Sequence, residues 1–99
     1  MITVVAVLEA KPGKEDELNK ALLELIKPTR KEEGCINYDL HRSVDDPKKF
    51  MFYENWTGKP ALDEHMASPH LTSFVKRAKE LLAGPLDVSM YEMVSNPAG

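Results

Sequence analysis

Two histidines, the single tryptophan and a tyrosine fall within one stretch of 21 residues, Phe50 to His70. It reads Phe50-Met51-Phe52-Tyr53-Glu54-Asn55-Trp56, then a break at Gly58-Lys59-Pro60, then Leu62-Asp63-Glu64-His65-Met66 and Ser68-Pro69-His70. Side chains alternate along a strand, so Phe52, Glu54 and Trp56 share one face and Tyr53 takes the other. Leu62, His65 and Met66 share one face of a helix by i, i+3, i+4 spacing. Leucine and methionine on that face place His65 against the sheet, where burial tunes its pKa and a ligand can reach it. Such an imidazole can hold or move a proton near neutral pH. Trp56 or Tyr53, with Phe52, would frame an aromatic ring. His70 falls in the first turn of a further helix, where the positive dipole end favours a neutral ring. Asn37, one strand earlier, can orient a carbonyl if its face is the pocket face. The plain alternative is a satisfied, half-buried histidine beside core aromatics.

The elements that must position these residues follow from the rest of the chain. Ile2 to Glu9 is dense in β-branched residues and reads as a strand. Both its faces are mostly apolar, which suggests a central strand covered on two sides. Lys14 to Glu33 reads as a helix, with the stripe Leu18, Ala21, Leu22, Leu25 and Ile26. Pro28 should kink or end it near Lys27, and Gly34 is a natural cap. Cys35 to Ser43 is a strand with Ile36, Tyr38 and Leu40 on one face and Asn37, Asp39 and His41 on the other. A polar turn leads to a third strand, Lys49 to Thr57. Gly58 to Ala67 is a short helix. Ser68-Pro69 opens another helix, with the stripe Leu71, Phe74, Val75, Ala78, Leu81 and Leu82. Leu86 to Val94 is the last strand.

The order is therefore β-α-β-β-α-(α)-β, an α+β, ferredoxin-like arrangement with an antiparallel four-stranded sheet. One domain spans residues 1–95, and 96–99 form a tail. Helices on one face leave the other open, and a second copy would cover it, giving a homodimer.

Composition narrows the classes. The chain has 99 residues, 42% hydrophobic and 29% charged, which fits one globular domain. A net charge of −3 without a basic run excludes a nucleic-acid footprint. The lone Cys35 excludes an internal disulfide framework and reads as a small buried hydrophobe. There is no transmembrane stretch, and Met1 to Val5 run straight into a strand, so no membrane association and a cytoplasmic location are expected. No Cys/His/Asp/Glu group has metal-ligand spacing, and His65 and His70 are five apart across a helix break. No glycine-rich loop suits a dinucleotide. No metal and no other cofactor is expected.

Several segments together resemble the antibiotic biosynthesis monooxygenase domain, of the dimeric α+β-barrel superfamily. They are Pro28-Thr29-Arg30-Lys31-Glu32-Glu33-Gly34-Cys35, Tyr38-Asp39-Leu40-His41-Arg42, Asp45-Asp46-Pro47, Phe52-Tyr53-Glu54-Asn55-Trp56 and His65-Met66-Ala67-Ser68-Pro69-His70. The resemblance implies a dimer with a pocket in each subunit and oxidation of a quinol or related aromatic enol by O2 without metal, flavin or haem. It implies catalytic roles for His65 or His70 and substrate contacts from Trp56, Tyr53, Phe52 and Asn37. Haem-degrading relatives use an asparagine on the first strand and a histidine about ten residues past a helix tryptophan. Here the first strand has no asparagine, His65 holds the tryptophan place and Val75 follows. Anthrone oxidisers pair asparagine and tryptophan four apart; here Phe52 precedes Trp56. A third type, similar around Ser68-Pro69-His70 and Gly84-Pro85, implies a metal-free isomerase of a small phosphorylated metabolite as an alternative. A dimeric ligand-binding protein without turnover is another.

Overall fold

The computed structural model describes residues 1–96, so most of the expected tail lies outside the described residues. The order is β1 (Ile2–Glu9), α1 (Glu15–Arg30), β2 (Cys35–Arg42), β3 (Lys49–Trp56), α2 (Lys59–Met66), α3 (Pro69–Leu81) and β4 (Asp87–Tyr91). The strands form one antiparallel sheet in the order β2-β3-β1-β4. The fold is thus the expected ferredoxin-like one. Val4, Ala6 and Leu8 of β1, with Phe50, Phe52 and Trp56 of β3, form the sheet side of the core. Leu18, Ala21, Leu22 and Leu25 of α1, Leu62 of α2 and Leu71, Phe74 and Leu81 of α3 form the helix side. Apolar burial of this kind is the main favourable term in the fold.

The opposite sheet face is open in the single chain. The register places Val5 beside Tyr53, and Tyr53 beside Asp39; Val7 lies beside Met51, and Met51 beside His41. Val7 and Tyr53 are exposed there, so β1 is central but covered on one side only. Arg30, Asp39, Asn37, Asn55 and Thr3 form a continuous polar chain on this face.

Four details differ from the expectation. The first helix passes through Pro28 and ends at Arg30 rather than near Lys27. An internal proline costs about 3 kcal/mol. Opposing it, Leu25 and Thr29 are buried, and Arg30 reaches the Tyr38 carbonyl and the Asp39 carboxylate. Ile36 does not share a face with Tyr38 and Leu40. A bulge between Cys35 and Asn37 leaves it unpaired and 53% exposed, while Cys35 packs on the core. Met66 and Val75 sit at the margins of their stripes and are exposed. The last strand ends at Tyr91, not Val94, because its partner β1 runs out: Tyr91 pairs with Thr3.

Candidate functional site

Alternation along β3 turns Phe52, Glu54 and Trp56 toward the helices. Trp56 is fully buried, and its Nε1 donates to Glu54 Oε1 at 2.9 Å. Tyr38 enters from β2 and stacks on Phe52, ring centroids 4.5 Å apart. Helix α2 lays His65 on this wall, 4.6 Å from the Trp56 ring and 5.3 Å from the Tyr38 ring. His65 is only 3% exposed.

Two local devices bring its partners. Past α1, the chain turns through Glu32 to Gly34, which has φ +89°. That glycine is required twice over: its conformation is left-handed, and an added Cβ would stand 2.5 Å from Ala61 Cβ. The turn is closed by Thr57 N–H donating to the Gly34 carbonyl at 2.9 Å. Glu32 is thereby held over α2. Ser68 caps α3 as expected, its Oγ accepting from Leu71 N–H while donating to the His65 carbonyl at 2.7 Å. This joint locks the end of α2 to the start of α3 and places His70. The outcome is one carboxylate oxygen, Glu32 Oε2, at 2.8 Å from both His65 Nδ1 and His70 Nε2.

Burial pushes the His65 pKa below its ordinary value, outweighing the pull of the Glu32 carboxylate. Neutral His65 then donates Nδ1–H to Glu32 and carries its lone pair on Nε2. Burial pushes Glu54 the other way, up to about 7. The Trp56 N–H opposes that rise, and the Glu32 charge adds to it. Burial likewise raises the Tyr38 phenol, which stays protonated, and the Cys35 thiol.

Between the sheet and the helices lies an apolar cavity of about 430 Å³, its mouth included. It is narrow: only about 30 Å³ is wide enough to seat the centre of a water. Val4, Phe52, Leu62 and Phe74 are among its walls, and Leu86 and Val88 extend it to β4. Its two titratable lining residues are Glu54 and His65. The pair offers a proton acceptor and a carboxyl that keeps its proton through the mildly acidic range and loses it at about 7, in surroundings that suit an aromatic ligand.

The structure thus brings His65, His70, Trp56 and Phe52 to one side of the sheet. It does not bring Asn37 and Tyr53 there. Both lie on the outer face by register, where Asn37 bonds Asp39, Asn55 and the Tyr53 carbonyl. Of the aromatic pair, Trp56 is the inward one. Sequence reasoning missed Glu32, Glu54 and Tyr38 as site residues. Glu54 was legible, since it shares the face of Phe52 and Trp56. Glu32 was not, because it reaches the histidines from 33 residues away. Sequence spacing marked no metal-ligand group, yet the fold brings three candidate ligands together. Glu32, His65 and His70 offer three ligand atoms within 4.8 Å of one another. Among the described residues, no helix is long and apolar enough to cross a membrane.

Topology and site together define a ferredoxin-like α+β domain with an internal, histidine-edged cavity. Residues 1–77 match the family described as antibiotic biosynthesis monooxygenase, and the chain belongs to that family. A Bacillus subtilis relative, named "Putative monooxygenase YcnE", is 36% identical over 93 residues, covering 94% of this chain and 98% of its own. The solved structure of Rv0793 from Mycobacterium tuberculosis superposes with a TM-score of 0.91 at 32% identity, covering 98% of each chain. The Synechocystis protein sll1783 is 33% identical over 92 residues, 93% of this chain, which spans 63% of that relative's length.

Proposed function

We propose that the chain is a cofactor-independent monooxygenase that oxidises a quinol or related aromatic enol with O2. One observation carries this reading: His65 edges an apolar cavity while its far nitrogen is bound to Glu32. A carboxylate on Nδ1 fixes the tautomer and stabilises the imidazolium, as in other base–orienter pairs. His65 Nε2 takes the acidic proton of the substrate. The resulting enolate is the reductant, so no metal or flavin need supply electrons. Its carbon forms the bond to O2, the peroxide takes back the proton held by His65, and loss of the hydrogen on that carbon breaks the O–O bond, leaving one oxygen as a carbonyl and releasing the other as water. Protonated Glu54 donates a hydrogen bond to the developing oxyanion. Trp56 and Phe52 supply the aromatic wall. Because the cavity is narrow, a ring enters only as its lining side chains give way.

The same reading includes a homodimer. Val5, Val7, Met51 and Tyr53 form an open apolar patch on the outer sheet face, and a second copy would cover it.

The test is oxygen uptake by the purified protein with menadiol-like and anthrone-like substrates, chelator present. Uptake above the uncatalysed rate, lost in His65→Ala, supports the reading. Tight binding of the same molecules without uptake would replace it by ligand binding without turnover.

A further inference from the structure

We propose that Glu32, His65 and His70 form a site for a divalent transition cation, with zinc as the working case, and that its occupancy disables His65 as a proton acceptor. The three ligand atoms come from three elements: the turn after α1, the last turn of α2 and the first turn of α3. Both nitrogens stand 2.8 Å from one carboxylate oxygen. Ligands of a tetrahedral zinc with bonds of about 2.1 Å are about 3.4 Å apart. The three ligand atoms already lie within 4.8 Å of one another, so side-chain shifts of about 1 Å bring them to the spacing of one face of a coordination shell.

The donor set also selects the ion. Two imidazoles and one carboxylate suit zinc and the first-row ions beside it, whereas magnesium and calcium take oxygen ligands. The scaffold is preorganised by the Gly34 turn and the Ser68 joint, each tied by its own hydrogen bonds. Access is graded. The Glu32 and His70 side chains are 16% and 21% exposed, against 3% for His65. An ion arrives from outside, and His65 stands between it and the cavity.

Binding has a defined chemical consequence. Without metal, both ring protons point at Glu32, on His65 Nδ1 and His70 Nε2. Ligation needs the lone pair at those same atoms. The neutral His65 ring keeps its proton, which moves from Nδ1 to Nε2, and no electron is transferred. His65 Nε2 then carries a proton and has no lone pair for the substrate. The inhibitory part rests on the proposed function, but the binding part does not.

The experiment uses the full chain freed of metal, with zinc as the probe. Equilibrium dialysis should find one zinc per chain. Glu32→Gln, which keeps the shape of the side chain, and His70→Ala should each weaken binding by about tenfold or more. His41→Ala, on the outer face, should not. Long-range nitrogen-15 spectra of the imidazoles should show His65 exchanging Nδ1–H for Nε2–H as zinc is added. Absence of saturable binding below about millimolar zinc overturns the proposal. So does binding that Glu32→Gln and His70→Ala leave intact, or binding without a tautomer change at His65. Zinc that binds and shifts the tautomer in a protein that consumes no oxygen would count against the monooxygenase reading, and the cation site would stand.

Discussion

His65 Nδ1 and Glu32 Oε2 stand 2.8 Å apart across 33 residues of chain. That contact turns a histidine on a helix stripe into one with a fixed tautomer. It also ties the turn after α1 to α2. His70 bonds the same oxygen, so the three residues act as a unit rather than as independent groups.

Replacing His65 by alanine is expected to lower turnover by about 10²–10⁴-fold, the usual contribution of a general base. The variant should fold with reduced stability, because the ring lies against Trp56 and Tyr38. Oxygen uptake and thermal unfolding measured on one preparation separate the two effects. Unchanged activity per folded molecule would remove His65 from the mechanism and move the role of base to His70.

Glu32→Gln preserves shape but removes the charge that stabilises a protonated His65. Its turnover should fall by about 10²-fold or more, with the unfolding midpoint moving by only a few degrees. A variant with full turnover would reduce Glu32 to a structural partner.

Glu54 predicts a pH dependence of stability. Folded Glu54 holds its proton up to about 7, against an ordinary value of 4.5. Below the lower value both states are protonated and nothing is lost. Between the two, the folded state binds more protons, so stability falls as pH rises. The complete loss is about 3 kcal/mol. His65 acts oppositely: with a lowered folded pKa, its contribution is lost as pH falls through the ordinary imidazole range. Glu54→Gln should remove the first trend and leave the second. Urea unfolding of both proteins at about pH 5 and about pH 8 reads the difference. A wild-type-minus-variant gap that does not change with pH would mean that Glu54 does not titrate there.

Gly34→Ala should destabilise the chain by about 1–3 kcal/mol. The new Cβ meets Ala61 Cβ at 2.5 Å and Thr57 Oγ1 at 2.7 Å, on a backbone at φ +89°. Thermal unfolding checks it. Gly13→Ala is a useful comparison, since it shares the positive φ but nothing lies within 4 Å of its added Cβ.

Val7→Asp on the outer face should turn a dimer into monomers in sedimentation runs, with little effect on the secondary structure of each chain. A wild-type protein that sediments as a stable folded monomer at micromolar concentration would sink the expectation.

The elements were readable because their signals are local. Alternation placed Glu54 and Trp56 together, the Leu18-to-Ile26 stripe gave α1, and Ser68-Pro69 marked the start of α3. What escaped depends on contacts distant in sequence. Pro28 stays helical because Thr29 is buried and Arg30 bonds the Tyr38 carbonyl and the Asp39 carboxylate of β2. Ile36 turns outward because one extra residue sits opposite β3, and no pattern in Cys35 to Arg42 marks it. Glu32 looks like one acid in a charged turn, and only the joint between α2 and α3 gives it two imidazoles to hold. Helical spacing placed His65 against the sheet, while the face taken by Asn37 and Tyr53 stayed open until the strand register put both on the outer side.

Trp56 is the chain's single tryptophan, and it is sealed from solvent with its N–H on Glu54 and its ring beside His65. Its fluorescence therefore has one source, lodged at the point where both titrating groups meet. Removal of the Glu54 proton changes the charge at the indole N–H, and a charged imidazole beside the ring quenches emission. The molecule carries an optical gauge of its own proton inventory, readable in plain buffer before any substrate is known.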